Sequence, residues 1–217
     1  PFTPRDTTNL LARAASKIPG AEEFNLARSR ADRTVQGLRI NAKTDNDQKL
    51  PGVWIQARQH AWESGSSWVA RGFVEWLMAN SEDAGWLKKN AEIVIVPVMD
   101  VDNVTTGNGG KEEEPRDHNR DWDDQPVFPE VTAAQQFLSK WSQEKRLDFF
   151  IDLHNPAPND PRPFFFCGPP ELLSDRGREN RTLFLDIAPK HIQGPLAVEP
   201  NPRLTGPSYP PLWRKIS

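Results

Sequence analysis

The stretch Glu92-Ile93-Val94-Ile95-Val96-Pro97-Val98-Met99 is almost continuously apolar and only eight residues long. A run of that length without alternation fits a strand buried on both faces, the condition of strands in a parallel sheet covered by helices. Thr34 to Ile40 and Gly52 to Ala57 read as further strands from their β-branched and apolar content, and Leu147 to Leu153 (L-D-F-F-I-D-L) as another, ending at His154. Between them lie helical patterns. Ser66 to Ala79 places Trp68, Val69, Gly72, Phe73, Trp76 and Leu77 at three- and four-residue spacings, which predicts an amphipathic helix with a Ser N-cap. A second helix is expected from Val131 to about Lys145, and another near the start of the chain, capped by Thr7 or Thr8 and running through Leu10, Leu11 and Ala14 toward Gly20. Strands alternating with helices predict an α/β fold, a three-layer α/β/α sandwich on a central mixed, mostly parallel sheet.

Beyond His154 the pattern weakens. Pro161 to Phe166 is read as a strand and Asp175 to Ile187 as a helix, while Gly194 to Pro211 is Pro-rich and irregular. About thirty residues after Met99 show no clear period, and a loop of that length inside a compact domain is usually functional or disordered. With 217 residues and 24.6 kDa, one core and one domain are expected.

Composition removes several classes of function. The net charge of −3 and the lack of a Lys/Arg block set nucleic acid aside as a partner. The apolar runs fall far short of the roughly 20 residues that span a bilayer, so no membrane partner is expected. Cys167 is the sole cysteine, which excludes an internal disulfide and a thiolate metal cluster. The chain begins Pro1-Phe2-Thr3-Pro4 with no signal-peptide pattern, and it is expected to be a fragment or a processed chain. Cytoplasmic location is the favoured expectation, a secreted or periplasmic one the alternative, and the oligomeric state is not readable.

The chemistry-bearing residues follow the strands. His60 and Glu63 form a His-x-x-Glu three residues past Ala57, and His154 closes the Leu147–Leu153 run. With four His and 14 Glu in the chain, a His-x-x-Glu is a weak signal by itself. Its place at the carboxyl end of a buried strand is where open α/β sheets hold ligands. Two imidazoles and one carboxylate complete the three-protein-ligand set of a catalytic zinc. The loop Pro115-Arg116-Asp117-His118-Asn119-Arg120-Asp121-Trp122 adds an amide beside guanidiniums, groups that can hold a carboxylate, and an Asp that can fix the tautomer of a metal-bound His. Read alone, that loop is also an ordinary solvated turn.

Taken together, four blocks in order resemble the M14 zinc carboxypeptidase family, in a bacterial-type branch similar to the cytosolic carboxypeptidases. They are Gln59-His60-Ala61-Trp62-Glu63-Ser64-Gly65, then Val96-Pro97-Val98-Met99-Asp100-Val101-Asp102-Asn103 with Gly107-Asn108, then Asp117-His118-Asn119-Arg120-Asp121-Trp122, and Phe150-Ile151-Asp152-Leu153-His154. The resemblance implies one zinc ion per chain on His60, Glu63 and His154. It also implies that Asp117 supports His60, that Asn119 and Arg120 hold the C-terminal carboxylate of a peptide substrate, and that a helix N-terminus near Ser64 to Ser67 adds positive potential. The implied reaction is hydrolysis by zinc-activated water.

The chain departs from the family pattern at three places, the first being the family's Asn-Pro-Asp-Gly turn, which appears here as Asp100-Val101-Asp102-Asn103. Where members carry an oxyanion-stabilising arginine this chain has Gly110, and Lys111 and Arg116 are the candidate replacements. The family's closing tyrosine has its candidate in Tyr209, the sole tyrosine, which a Pro-rich turn could equally hold for packing. Glu171, Glu179 and Glu199 are the only glutamates after His154, and the general-base glutamate is expected beyond Ser217. A small β-sandwich before residue 1 is a matching expectation. Two other functions stay open at this stage: a related zinc deacylase of N-acyl amino acids, and a catalytically inactive peptide-binding homologue. Trp54, Trp68, Trp76 and Trp86 are read as core or interface aromatics, and His118 and His191 as non-ligands.

Overall fold

The computed structural model describes residues 1–41, 49–79, 81–155, 157, 159–210, 212 and 214. Pro211 and Ser217, which bound two of the sequence expectations, lie outside them. The chain forms two compact units, Pro1–His154 and Asn155–Ser217.

The first unit is built on a five-stranded sheet of β1 (Ala21–Arg28), β2 (Thr34–Ile40), β3 (Gly52–Ala57), β4 (Glu92–Val96) and β5 (Leu147–Leu153), in the order β1-β2-β4-β3-β5. β2 runs antiparallel to both β1 and β4, and β3 runs parallel to β4 and β5. Two of the four pairings are parallel and two antiparallel, so the sheet is mixed, with four of its five strands pointing the same way. Every residue of β4 is buried, as its unbroken apolar run requires. β5 is half-buried throughout and, among the described residues, has β3 as its one partner in this sheet.

The helices are α1 (Pro4–Lys17), α2 (Ser64–Met78), α3 (Glu82–Asn90), α4 (Val101–Thr106) and α5 (Pro129–Gln143). The crossover from β3 through α2 to β4 and the one from β4 through α5 to β5 travel in opposite directions across the sheet. Right-handed connections then place α2 and α5 on opposite faces, which gives the three layers. Phe137 and Trp141 of α5 meet Trp54 with ring centroids 5.2 and 6.3 Å away. Gly52 is required there, since a Cβ would run into the Trp141 ring. Glu92, 2 % exposed, is bonded by both Arg39 and Arg146, so its charge is paired where it enters the core.

Several local expectations change. α1 starts under a capping box made by Thr3 and Asp6, so Thr7 is a buried core residue rather than the cap. α2 has Glu63, not a serine, at its N-cap, and the Glu63 side chain makes no capping bond. Its buried face is Ser66, Ser67, Ala70, Val74 and Leu77, while Trp68, Val69 and Trp76 point outward. Small side chains allow close packing, and Ser67 Oγ donates to the Pro97 carbonyl at 2.8 Å. Of the four tryptophans read as core or interface residues, only Trp54 is buried. α3, α4 and β1 were not anticipated.

In the second unit, β6 (Phe166–Cys167) and β7 (Arg203–Leu204) form a short parallel pair, and α6 runs over Asp175–His191 under a Ser174 cap. The strand expected over Pro161 to Phe166 is confined to Phe166–Cys167, and the stretch read as irregular contributes β7. Among the described residues no helix is long and apolar enough to cross a membrane.

Candidate metal and carboxylate site

Two adjacent parallel strands bring the site together. β3 and β5 are paired through Ala57↔Leu153, so the residues that follow them leave the sheet side by side at its carboxyl edge. His154 follows β5 directly, and the loop Arg58–Glu63 carries His60 back over the sheet into α2.

That loop is held tightly. Arg58 sits in the left-handed region at φ +64 and is 4 % exposed. Its guanidinium donates to the carbonyls of Ala61 at 2.6 Å and Phe2 at 3.2 Å, and to Ser67 Oγ at 3.4 Å. Trp62 N–H donates to the Gly109 carbonyl at 3.2 Å, which anchors the loop to the long connection after β4. Burial lowers the Arg58 pKa, opposed by the charges of Asp100 and Glu63.

Both imidazoles face Glu63. His60 Nδ1 lies 2.8 Å from Glu63 Oε1 and His154 Nδ1 lies 2.7 Å from Glu63 Oε2. The three ligand atoms fall within 4.8 Å of one another. The far nitrogen of each ring meets an acid: His60 Nε2 is 3.0 Å from Asp117 Oδ1, and His154 Nε2 is 3.1 Å from Asp152 Oδ2. An acid on Nε2 fixes the proton there and leaves the Nδ1 lone pair for a cation, the outer-shell pattern of His-ligated metals. The donor set of two nitrogens and one carboxylate therefore fits zinc.

The charges respond to one another. Burial opposes the charged form of Glu63, yet the two imidazoles hold its carboxyl well below the usual range. Burial likewise opposes protonation of His154, but Asp152 and Glu63 push it up to about 10. His60 is raised by Asp117 and Glu63 against its own burial, and Asp117 is lowered by His60 against its burial. Carboxylates that draw protons this strongly onto two imidazoles would also favour a cation in their place.

Asn119 and Arg120 follow Asp117 in a 3-10 turn, His118–Arg120. Asn119 N–H donates to Asp117 Oδ1 at 2.7 Å, and its side-chain Nδ2 lies 3.4 Å from His154 Nε2, so the amide reaches the His60–Glu63–His154 cluster. Arg120 is partly exposed, with Nη1 at 3.4 Å from the Asn119 carbonyl and 4.0 Å from Asp117 Oδ2.

The oxyanion candidates separate. Arg116 is committed to Asp123 at 2.5 Å and Asp121 at 3.5 Å. Lys111 Nζ lies 5.7 Å from the ring centroid of Trp62, a member of the ligand loop. Gly110 adopts φ +84, and a Cβ there would press on Asp100 Oδ2 and sit 2.9 Å from Ala61 N, so the backbone leaves no room for an arginine side chain at that position. In the second unit, the Tyr209 ring packs 5.3 Å from Phe166. There Glu171 lies in a 3-10 turn, Glu179 on α6, and Glu199 is ion-paired with Arg203.

Sequence reasoning passed over the buried residues behind the ligands. His118 is no ligand of the cluster; it is fully buried, with Nδ1 3.0 Å from Gln59 Oε1 and Nε2 3.0 Å from Glu130 Oε1. Burial opposes its charged form, but Glu130, Asp100 and Glu113 raise its pKa. Asp152 had a readable signal, a polar residue inside the apolar run Phe149 to Leu153 and two residues before His154, whereas Gln59 stands between Arg58 and His60 and is marked only by its place before His60.

A family profile described as zinc carboxypeptidase, Peptidase_M14, matches residues 7–157. The chain belongs to the zinc carboxypeptidase family. Among its curated relatives, cytosolic carboxypeptidase 3 of Bos taurus is 29% identical over 114 residues, which is 52% of this chain and 11% of that protein. Among solved structures, a metallo-carboxypeptidase from Burkholderia cenocepacia aligns with a TM-score of 0.74 and 23% identity, covering 99% of this chain and 55% of that one. One from Pseudomonas aeruginosa, solved in complex with (2-guanidinoethylmercapto)succinic acid, aligns with a TM-score of 0.70 and 23% identity over 96% of this chain and 54% of that one. This chain thus spans about half the length of those two structures, and its match to the curated relative covers a smaller share still.

Proposed function

We infer that this protein is a zinc-dependent metallocarboxypeptidase that hydrolyses the C-terminal peptide bond of peptides or protein tails. The observation that carries the reading is the convergence of His60 Nδ1 and His154 Nδ1 on Glu63, with each Nε2 held by an acid. His60, Glu63 and His154 would hold one zinc ion per chain. Bound there, zinc supplies Lewis acidity, polarising a carbonyl and lowering the pKa of a water toward about 7.

The remaining roles fall to the chain's own groups. The Arg120 guanidinium and the Asn119 Nδ2 donors bind and orient the substrate's terminal carboxylate. Asp117 and Asp152 keep the Nε2 protons on the two rings. Lys111 is the better oxyanion partner, since Asp121 and Asp123 already neutralise Arg116. Tyr209 is retained as the candidate closing residue over substrate.

Zinc content and substrate choice test the reading together. The protein should hold about one zinc per chain and lose it in His154→Ala; undiminished zinc in that variant shows the ligand set to be wrong. In a chain extended beyond Ser217 to include the expected general-base glutamate, turnover of a blocked dipeptide should exceed that of the matching N-acyl amino acid. Turnover of the acyl substrate alone by that chain would replace the peptidase by a deacylase, and zinc binding without turnover of either would indicate a peptide-binding homologue.

A further inference from the structure

Gln59 uses all four hydrogen-bonding positions of its side-chain amide, and it is fully buried. Oε1 accepts from Trp122 Nε1 at 3.1 Å and faces His118 Nδ1 at 3.0 Å. Nε2 donates to Asp152 Oδ2 at 2.6 Å and to Asn119 Oδ1 at 3.2 Å. The orientation of this amide is not interchangeable. An indole N–H only donates, so the atom facing Trp122 must be the oxygen; an ionised carboxylate only accepts, so the atom facing Asp152 must be the nitrogen.

Two consequences pass from this amide to the site. Asn119 Oδ1 is turned inward to receive the Gln59 proton, which leaves the two Nδ2 protons of Asn119 on the side of His154. Asp152 Oδ2 takes one proton from Gln59 and stands 3.1 Å from His154 Nε2, so it is held as the acceptor for the Nε2 proton of that ring. His154 then presents the Nδ1 lone pair toward Glu63. On the other side of the cluster Asp117 does the same for His60 and also accepts from Asn119 N–H.

We propose that Gln59 is a positioning residue that sets two parts of the site from one buried amide: the metal-binding tautomer of His154, through Asp152, and the donor-outward orientation of Asn119. The proposal rests on the carboxypeptidase reading for the role of Asn119, whereas its metal half stands on the ligand geometry alone.

Gln59→Glu is the discriminating variant. It keeps an acceptor for Trp122 and His118 and replaces only the donor half, placing an oxygen against Asp152 and Asn119. Asn119 would then turn its donors inward and its oxygen toward the substrate carboxylate. The expected results are zinc affinity weakened about 10- to 100-fold in competition with a chelator, the range typical of outer-shell changes at metal sites, and, in a chain extended beyond Ser217, a raised KM for a blocked dipeptide. The double variant Gln59→Glu with Asp152→Asn restores a donor to position 59 while its amide oxygen still accepts from His154. Zinc affinity should recover there and KM should not. Circular dichroism and thermal melting verify the fold, and if Gln59→Glu does not fold, Gln59→Met removes the donor without adding charge and carries the same expectation for zinc.

Wild-type zinc affinity in a folded single variant overturns the proposal, as does loss of the fold in both variants, which would make Gln59 purely structural. Weakened zinc binding with an unchanged KM overturns the Asn119 half. Weakened, rescuable zinc binding in a protein that turns over no peptide keeps the metal half and instead refutes the carboxypeptidase reading.

Discussion

α1 and α6 make a useful pair, one from each unit. α1, 14 residues long, buries Thr7, Leu10, Leu11 and Ala14. α6 is longer at 17 residues and buries none of its side chains, with Leu183 60% and Ile187 44% exposed. The first unit encloses a layered core around Trp54, Ile93 and Ile95. The second packs partly exposed rings, Phe165 on Phe184 and Phe166 on Tyr209, and adds ion pairs of Arg203 with Asp160 at 2.8 Å and Glu199 at 2.6 Å. Partly exposed ion pairs of this kind contribute little each, whereas enclosed aromatic packing contributes several kcal/mol per residue. Helical spacing of apolar residues does not by itself say which helix will bury them.

Trp54→Ala tests the strong side of this contrast. The side chain is fully buried against Phe137 and Trp141, so its removal should cost about 3–5 kcal/mol, read from the denaturant midpoint. A loss below 1 kcal/mol would show that the layered core is not where the stability lies.

Glu113→Gln should have a smaller effect with a defined pH dependence. Burial, together with the neighbouring charge of Asp100, pushes the Glu113 carboxyl up to about 7 from an ordinary 4.5. A folded-state value above the unfolded one means that the stabilisation is complete below the unfolded pKa and is lost as pH rises through about 7. The neutral isostere should match wild type near pH 4.5 and exceed it at pH 8 by about 1 kcal/mol after allowance for partial exposure, or roughly 2–4 °C in Tm. The acids of the second unit have the opposite sign: Arg203 lowers Asp160 and Glu199, so their contribution is lost as pH falls. Identical melting of the variant and wild type at both pH values would remove Glu113 from the pH response.

Leu183→Ala should change stability by less than about 0.5 kcal/mol, because the side chain is already 60% exposed. A cost of 2 kcal/mol or more would mean that this face of α6 is covered in solution, and the comparison between the units would have to be redrawn.

Much of the fold was legible because β-strand signals here are local. β2, β3 and β5 begin and end where the sequence places them, and β4 stops at Val96 within its apolar run. β1 is not legible because A-E-E-F-N-L-A-R carries four exposed charged or polar positions and no clean alternation, as fits an edge strand that among the described residues pairs with β2 alone. The orientation of α2 was misread because its largest apolar residues face outward and its small ones face the protein, a choice made by the space beside α1 and β3. In the site, His60, Glu63, His154, Asp117 and Asn119 are brought into one cluster, with Arg120 beside Asp117. Arg58, Gln59 and Asp152 were not singled out, since a buried polar residue shows its purpose only when its partners are known.

The sequence by itself determined four of the five strands of the main sheet, the parallel pairing of its centre and the types of group available for chemistry, because hydrophobic periodicity and residue identity are properties of short segments. Tertiary structure decided which nitrogen of each imidazole faces Glu63, that Arg116 is tied to Asp121 and Asp123, and which way the amides of Gln59 and Asn119 turn. Those choices depend on hydrogen bonds between residues 57 to 93 positions apart in the chain: the pairing of β3 with β5 brings Gln59 to Asp152, and the connection between α4 and α5 brings Asp117 to His60.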